Sequence, residues 1–198
     1  MEKNLFDQLS HKYDTKERFE LAKIIQNEIR PDIVEHTNKS LLDYGCGTGL
    51  VSLDFSKEVK SLILADASSE MLQLTKQKIE QLGLTNATTV QLDLIEKDTD
   101  IKVDTIITSL VLLHVPDTSL LLEKLYASLN EGGQLIIVDF DLNEKINDPR
   151  VHNGFDQEKL TTLLEQTGFN KISSNNFHSG KNLFMKQDAT LFKAVAYK

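Results

Sequence analysis

Three aspartates each follow a short apolar run: Asp43 after Leu41-Leu42, Asp66 after Leu62-Ile63-Leu64-Ala65, and Asp93 after Val90-Gln91-Leu92. Behind the first comes Tyr44-Gly45-Cys46-Gly47-Thr48-Gly49, with three glycines in five residues. Such a turn carries few side chains, so a ligand can lie against main chain. An acid two residues ahead of the first glycine repels a pyrophosphate and attracts an ammonium. Asp66 can accept from both hydroxyls of a ribose. Asp93 can accept from an exocyclic amine, and Met71 offers an apolar face to a purine. Together these residues fit a ligand that joins an amino-acid head, a ribose and an adenine.

The chemistry needs elements that bring the acids to one edge. Residues 41–43, 61–66 and 88–93 read as strands, followed by 103–108 and 135–139. The runs are short, β-branched and nearly continuous, the pattern of a parallel sheet covered on both faces. Helices alternate with them. Leu50, Val51, Leu53 and Phe55 predict one over residues 49–56, whose free N–H groups would face the ligand. Ser68 and Gly83 bracket a second, with Met71, Leu72, Thr75, Ile79 and Leu82 on one face. Asp117 caps a third, carrying Leu121, Leu122, Leu125 and Leu129, that Gly132-Gly133 is expected to stop. A fourth opens at Asp156, between Phe155 and Leu160, and ends at Gly168. Residues 169–177 and 191–197 read as an antiparallel pair at the sheet edge, joined by a plain loop. In such a sheet ligands sit at the carboxyl ends of the strands, where the winding reverses. Ahead of the sheet, Asp14 and Glu17 have capping-box spacing, Leu21, Ile24, Ile25 and Ile29 recur at helical spacing, and Pro31 closes the segment. Leu5-Phe6 and Tyr13 indicate a shorter helix before it. The reading is a doubly wound α/β fold in a single domain: a helical N-terminal cap at 1–39, a cofactor-binding core at 40–140, and a substrate-side loop with C-terminal edge strands at 141–198.

Composition narrows the partners. The chain has 198 residues, 40% hydrophobic and 26% charged, as in globular proteins that stay in water. No apolar run approaches the ~18–20 residues of a membrane span, and the start has no signal-peptide core, so a cytoplasmic location and no membrane partner are expected. A net charge of −8, with Lys and Arg scattered among acids, argues against a nucleic-acid partner. The single cysteine excludes an internal disulfide and any multi-cysteine metal site. His11, His36, His152 and His178 lack paired ligand spacing and read as surface residues, so no metal is expected.

Asp43-x-Gly45-x-Gly47-x-Gly49, Asp66-Ala67-Ser68-x-x-Met71-Leu72 and Leu92-Asp93-Leu94 resemble successive motifs of the class I S-adenosylmethionine-dependent methyltransferases. Val103-Asp104-x-Ile106-Ile107, then Leu113-His114-Val115-Pro116-Asp117, and Leu129-x-x-Gly132-Gly133 are similar to the small-molecule, type 11/12-like group that includes the quinone C-methyltransferases. The resemblance covers about residues 40–140. It implies a Rossmann-like fold with a seven-stranded, mostly parallel sheet and an antiparallel edge strand. It also implies S-adenosyl-L-methionine as cofactor. Asp43, Gly45, Cys46, Gly47 and Gly49 would hold its methionyl part, Asp66 and Ala67 the ribose side, and Met71, Asp93 and Leu94 the adenine. Ser109 and Leu110 would lie beside the transferred methyl, and Tyr13 over the cofactor.

A sulfonium methyl is already activated, so the protein must align an acceptor in line and exclude water. A base is needed only for an acidic acceptor, and His114 is the candidate, against a structural role beside Pro116. The chain lacks a cysteine nucleophile near the fourth strand, an Asn/Asp-Pro-Pro-aromatic motif after it, and the cysteine set of arsenite methylation. That leaves a small organic acceptor. Two other functions fit part of the pattern. A non-catalytic S-adenosylmethionine-binding regulator needs the same loop. A NAD-dependent oxidoreductase needs G-x-G-x-x-G, and Leu50 stands where its third glycine belongs.

Overall fold

The structure, a computed structural model, describes residues 14–34 and 38–198. Tyr13 and the short helix expected before it lie outside the described residues, as do His11 and His36. The chain divides into two compact units, Met1–Lys97 and Asp98–Lys198.

In the first unit, helix α1 (Lys16–Val34) buries Ala22, Ile25, Ile29 and Ile33. Their spacing of three and four residues makes one stripe, and each buried isoleucine contributes ~1.5–3 kcal/mol. Thr15 Oγ1 accepts from Arg18 N–H at 3.4 Å and so takes the capping place expected of Asp14. Pro31 lies inside the helix instead of ending it. It falls in the last turn, where only one backbone bond is forfeited before the helix stops.

Strands β1 (Ser40–Tyr44), β2 (Ser61–Asp66) and β3 (Ala87–Gln91) are parallel, in register Leu41 with Leu62 and Ile63 with Thr88. Their carboxyl ends therefore bring Asp43 and Asp66 to the same side. Helix α2 (Ser69–Leu82) returns the chain between β2 and β3. Ser68 Oγ accepts from Met71 N–H at 3.2 Å, and Gly83 closes the helix in the left-handed conformation.

The helix expected over 49–56 does not form. The chain runs through turns into a 3-10 segment, Leu53–Lys57. The Gln26 side chain of α1 donates to Leu50 O at 2.8 Å and Val51 O at 3.1 Å. Those carbonyls are thus satisfied from outside, and a segment this short cannot offset the cost of helix nucleation by itself.

The second unit contains β4 (Val103–Ser109), a 3-10 turn at Leu112–His114, α3 (Thr118–Ser128), β5 (Leu129–Phe140), α4 (Gln157–Thr167), β6 (Asn170–Phe184) and β7 (Gln187–Tyr197). β4 and β5 are parallel, while β7 is antiparallel to both β5 and β6. Asp117 and Asp156 cap α3 and α4, and Gly168 ends α4.

Two boundaries differ from expectation. Gly132-Gly133 lies within β5, because α3 already stops at Ser128 and the paired strand starts at once. The supposed loop between the last two strands is paired as well. β6 and β7 form one long hairpin, closed by a two-residue turn between the paired Phe184 and Gln187.

Candidate cofactor-binding site

The glycine loop is tied mainly to the end of β2. Gly45 and Cys46 both donate their N–H groups to Ala65 O, at 2.8 and 3.0 Å, and Gly49 donates to Cys46 O at 2.8 Å. Gly47 N–H goes to Asp66 Oδ2 at 2.8 Å. These four amides therefore already have acceptors, contrary to a loop that offers them all to a ligand. The glycines are needed for conformation, with φ of 76°, 54° and 75° at Gly45, Gly47 and Gly49. At Gly49 a side chain would also collide with Leu53 Cδ1 at 2.8 Å.

What the loop does present is charge. Asp43 is 1% exposed. Its Oδ2 accepts from Ser52 Oγ at 2.5 Å, while Oδ1 is buried with no hydrogen-bond partner among the described residues. Burial pushes this carboxyl up to about 7; the Ser52 hydroxyl opposes that, and the neighbouring Asp66 adds to it. A buried carboxylate oxygen without a donor is costly. A ligand ammonium against Oδ1 would supply both the missing donor and the counter-charge. The residues present therefore fit the amino-acid head of S-adenosylmethionine.

Asp66 is half-buried, with Oδ1 accepting from Ser68 N–H at 2.8 Å besides the bond to Gly47. It ties the end of β2 to the loop. Ala67, half-buried beside it, accepts from Gln91 Nε2 at 3.0 Å. Asp93 Oδ1 accepts from Ile95 N–H at 3.1 Å, turning the chain after β3.

Three further residues read as cofactor contacts are buried. Met71 is 1% exposed and sits in the core stripe of α2. Leu94 is equally buried, and its N–H is held by Tyr44 Oη at 3.1 Å. Cys46 is buried too, and its thiol is pushed well up by burial and by the nearby Asp43 and Asp66 carboxylates, so no helix end activates it.

Residues that the spacing did not mark complete the loop. Thr75 Oγ1 donates to Gly47 O at 2.8 Å, and Lys78 Nζ donates to Thr48 O at 2.8 Å. Asp14 accepts from Thr48 Oγ1 at 2.5 Å. Thr75 had been legible only as part of an apolar stripe.

In the second unit, Ser109 ends β4 and is half-buried, as is Leu110. Leu110 has φ of 56°, and its N–H donates to Val138 O at 2.8 Å. A leucine held in the left-handed region is strained, and such strain gathers at functional turns. His114 closes the 3-10 turn that follows. Burial pushes its imidazole down to about 4, so it is neutral at physiological pH and a weak base.

The turn is gripped on two sides. Leu113 N–H donates to Asp139 Oδ2 at 3.3 Å, and His152 N–H donates to Leu113 O at 2.8 Å. The His152 ring also donates from Nε2 to Val115 O at 2.8 Å and lies 5.3 Å from the Phe155 ring. His152 is thus a half-buried clamp, not a surface residue.

A family model described as a methyltransferase domain matches residues 35–191. The chain belongs to that family. It is an S-adenosylmethionine-dependent methyltransferase of the type 11/12 group, with that molecule as cofactor. Among curated relatives it is 28% identical over 178 residues to the ubiquinone/menaquinone biosynthesis C-methyltransferase UbiE of Proteus mirabilis, covering 72% of this chain and 71% of that one. Among solved structures it is similar to a SAM-dependent methyltransferase from Aquifex aeolicus, at a TM-score of 0.72 and 18% identity, over 96% of this chain and 97% of that chain. It is also similar to the phosphoethanolamine N-methyltransferase 2 of Haemonchus contortus, solved with S-adenosyl-L-methionine, at a TM-score of 0.70 and 16% identity. That match covers 84% of this chain and 51% of the other. At these identities the structural likeness shows the fold: Rossmann-like, with a seven-stranded, mostly parallel sheet and antiparallel strands at one edge. No described helix is long and apolar enough to cross a membrane.

Proposed function

We propose that this methyltransferase acts on a small organic acceptor by in-line transfer, with the cofactor's amino-acid head held by Asp43 and the Gly45–Gly49 loop, and its ribose by Asp66. The observation that carries the cofactor assignment is the partnerless, buried Oδ1 of Asp43 beside that loop. The bound cofactor supplies a methyl group already activated on a sulfonium. The chain's own part is to bind and orient. Asp43 holds the ammonium, Asp66 both braces the loop and receives a ribose hydroxyl, and Asp93 lies toward the adenine side. Ser109 and Leu110 would lie beside the transferred methyl, and Tyr13, expected over the cofactor, lies outside the described residues. Proximity and alignment of this kind account for up to ~7–11 kcal/mol of a barrier.

His114 serves as a neutral lining group. With burial holding its pKa near 4, it is a weak base at neutral pH. Net charge −8 supports an acceptor other than a nucleic acid. The relatives named above include a C-methyltransferase of ubiquinone/menaquinone biosynthesis and a phosphoethanolamine N-methyltransferase, which supports the same reading. The segments 1–39 and 140–155 would enclose the acceptor, and the protein works in the cytoplasm.

Calorimetric titration with S-adenosylmethionine tests the site. Asp43→Ala and Asp66→Ala should each weaken binding at least tenfold, and wild-type affinity in both would overturn the assignment. Screening small quinols, phenols and amines for release of S-adenosylhomocysteine then tests the acceptor class. Turnover on RNA or DNA alone would reject it.

A further inference from the structure

We infer that Asp14, Thr48 and Lys78 form a charged clamp that fixes the glycine loop for cofactor binding, which makes Asp14 and Lys78 positioning residues for methyl transfer. The inference rests on the reading of that loop as the cofactor site.

Thr48 lies between two glycines at φ of 54° and 75°, so this is the part of the loop with most freedom to rearrange. It is nonetheless held at both of its polar ends. Its hydroxyl donates to Asp14 Oδ1 at 2.5 Å, and its carbonyl accepts from Lys78 Nζ at 2.8 Å. Lys78 Nζ also lies 2.7 Å from Asp14 Oδ2, which closes the triangle. Asp14 comes just before α1 and Lys78 sits on α2, so two separate elements converge on one loop residue.

Thr75 extends the arrangement. It stands three residues before Lys78 on α2, on the same face, and donates to Gly47 O at 2.8 Å. Two consecutive loop carbonyls, Gly47 O and Thr48 O, are thereby held from one helix face. Gly47 N–H, meanwhile, is fixed on Asp66 Oδ2. The clamp thus acts on the same peptide units that position Asp66 against the loop.

The Lys78 and Asp14 side chains keep 25% and 29% exposure, so water screens part of the pair's contribution to folding. Their bonds to a loop residue flanked by glycines give them leverage on local conformation. A displacement of a fraction of an ångström in a binding loop is enough to cost affinity.

The test is titration of the full chain with S-adenosylmethionine, alongside thermal melting. Asp14→Asn and Lys78→Met should each weaken binding about tenfold while Tm stays close to wild type. The double variant should bind no worse than the weaker single, because both act through Thr48. Lys78→Arg, which keeps the charge and a donor, should recover most of the affinity. Unchanged affinity in both single variants, with Asp43→Ala still impaired, would overturn the clamp and leave the cofactor site standing. Unchanged affinity in all three would remove the cofactor reading as well. A loss of affinity matched by an equal loss of Tm, or additive losses in the double variant, would reduce the pair to a structural contact and refute the proposal.

Discussion

Asp43 should make cofactor binding depend on pH in a direction set by its burial. Its carboxyl is pushed up to about 7 from an ordinary 3.8, so the free protein holds it mostly protonated in mild acid. An ammonium against Oδ1 needs it ionised. Binding near pH 6 should therefore expel close to one proton, and the association constant should climb by nearly a decade per pH unit there. The climb flattens above pH 7 and reverses beyond about 7.5, as a free α-amino group loses its own proton. Between about pH 5.5 and 7.5 the net gain is roughly fifteenfold. Calorimetry in two buffers of different ionisation enthalpy counts the expelled proton directly. Asp43→Asn removes both the charge and the titration. A charge-assisted hydrogen bond of ~1.5–3 kcal/mol is lost, so affinity should fall about ten- to hundredfold and its rise through pH 7 should vanish. A wild-type affinity that stays flat across this range, with no buffer-dependent heat, would refute the pairing of Asp43 with the ammonium.

Three further outcomes follow from the same coordinates. Asp43 and Asp139 are both fully buried and both pushed up to about 7, so the stability each contributes is complete below pH 3.8 and lost as pH rises through 7. The penalty is at most about 4 kcal/mol for each once ionised, and melts of the unliganded protein should show a falling Tm from about pH 5 to 8. Asp43→Asn should raise Tm at about pH 8. Asp139→Asn should not, because both Asp139 oxygens accept backbone N–H groups and an amide keeps only one acceptor. Gly49→Ala should destabilise by about 2–4 kcal/mol, combining a left-handed alanine with the clash against Leu53 and Leu64; a change under 1 kcal/mol in urea melts would contradict this. The hairpin turn at Met185-Lys186 has φ of 49° and 61°, so Met185→Asn with Lys186→Gly should stabilise by about 1 kcal/mol and raise Tm by ~2–4 °C.

Features governed by near neighbours were legible in the sequence. Ser68, Asp117 and Asp156 are read as caps because each satisfies an amide two or three residues ahead, and the structure shows those bonds. The acids after the strands are read as a ligand-facing rim because parallel strands put their carboxyl ends on one side, and Asp43 and Asp66 do share that side. Features decided by distant partners were not legible. Nothing near Leu50 and Val51 announces that Gln26 will take their carbonyls and leave no helix there. Nothing near Gly132 announces that its segment will pair as a strand. Asn182 and Gly180 signal a loop, yet pairing with β7 carries the strand past them, with an irregular register between Gly180 and Phe184. His152 has no patterned neighbour either, since its partner is the carbonyl of Val115, 37 residues away.

The glycine loop shows how far a motif can be read and where it stops. Its spacing suits an exposed backbone that cradles an anion. In the structure, the amides of Gly45, Cys46, Gly47 and Gly49 are already engaged within the first unit, and no α-helix begins behind them. The glycines therefore shape the loop, while Asp43 beneath it sets the sign of the charge it can accept. A pyrophosphate would meet that carboxylate with those four amides already engaged, whereas an ammonium would meet an oxygen with no donor among the described residues. On the proposed role of Asp43, discrimination between a dinucleotide and S-adenosylmethionine would rest on that buried acid more than on the missing third glycine. Restoring that glycine by Leu50→Gly should consequently confer no NADH binding, measured by nicotinamide fluorescence, while Asp43 remains.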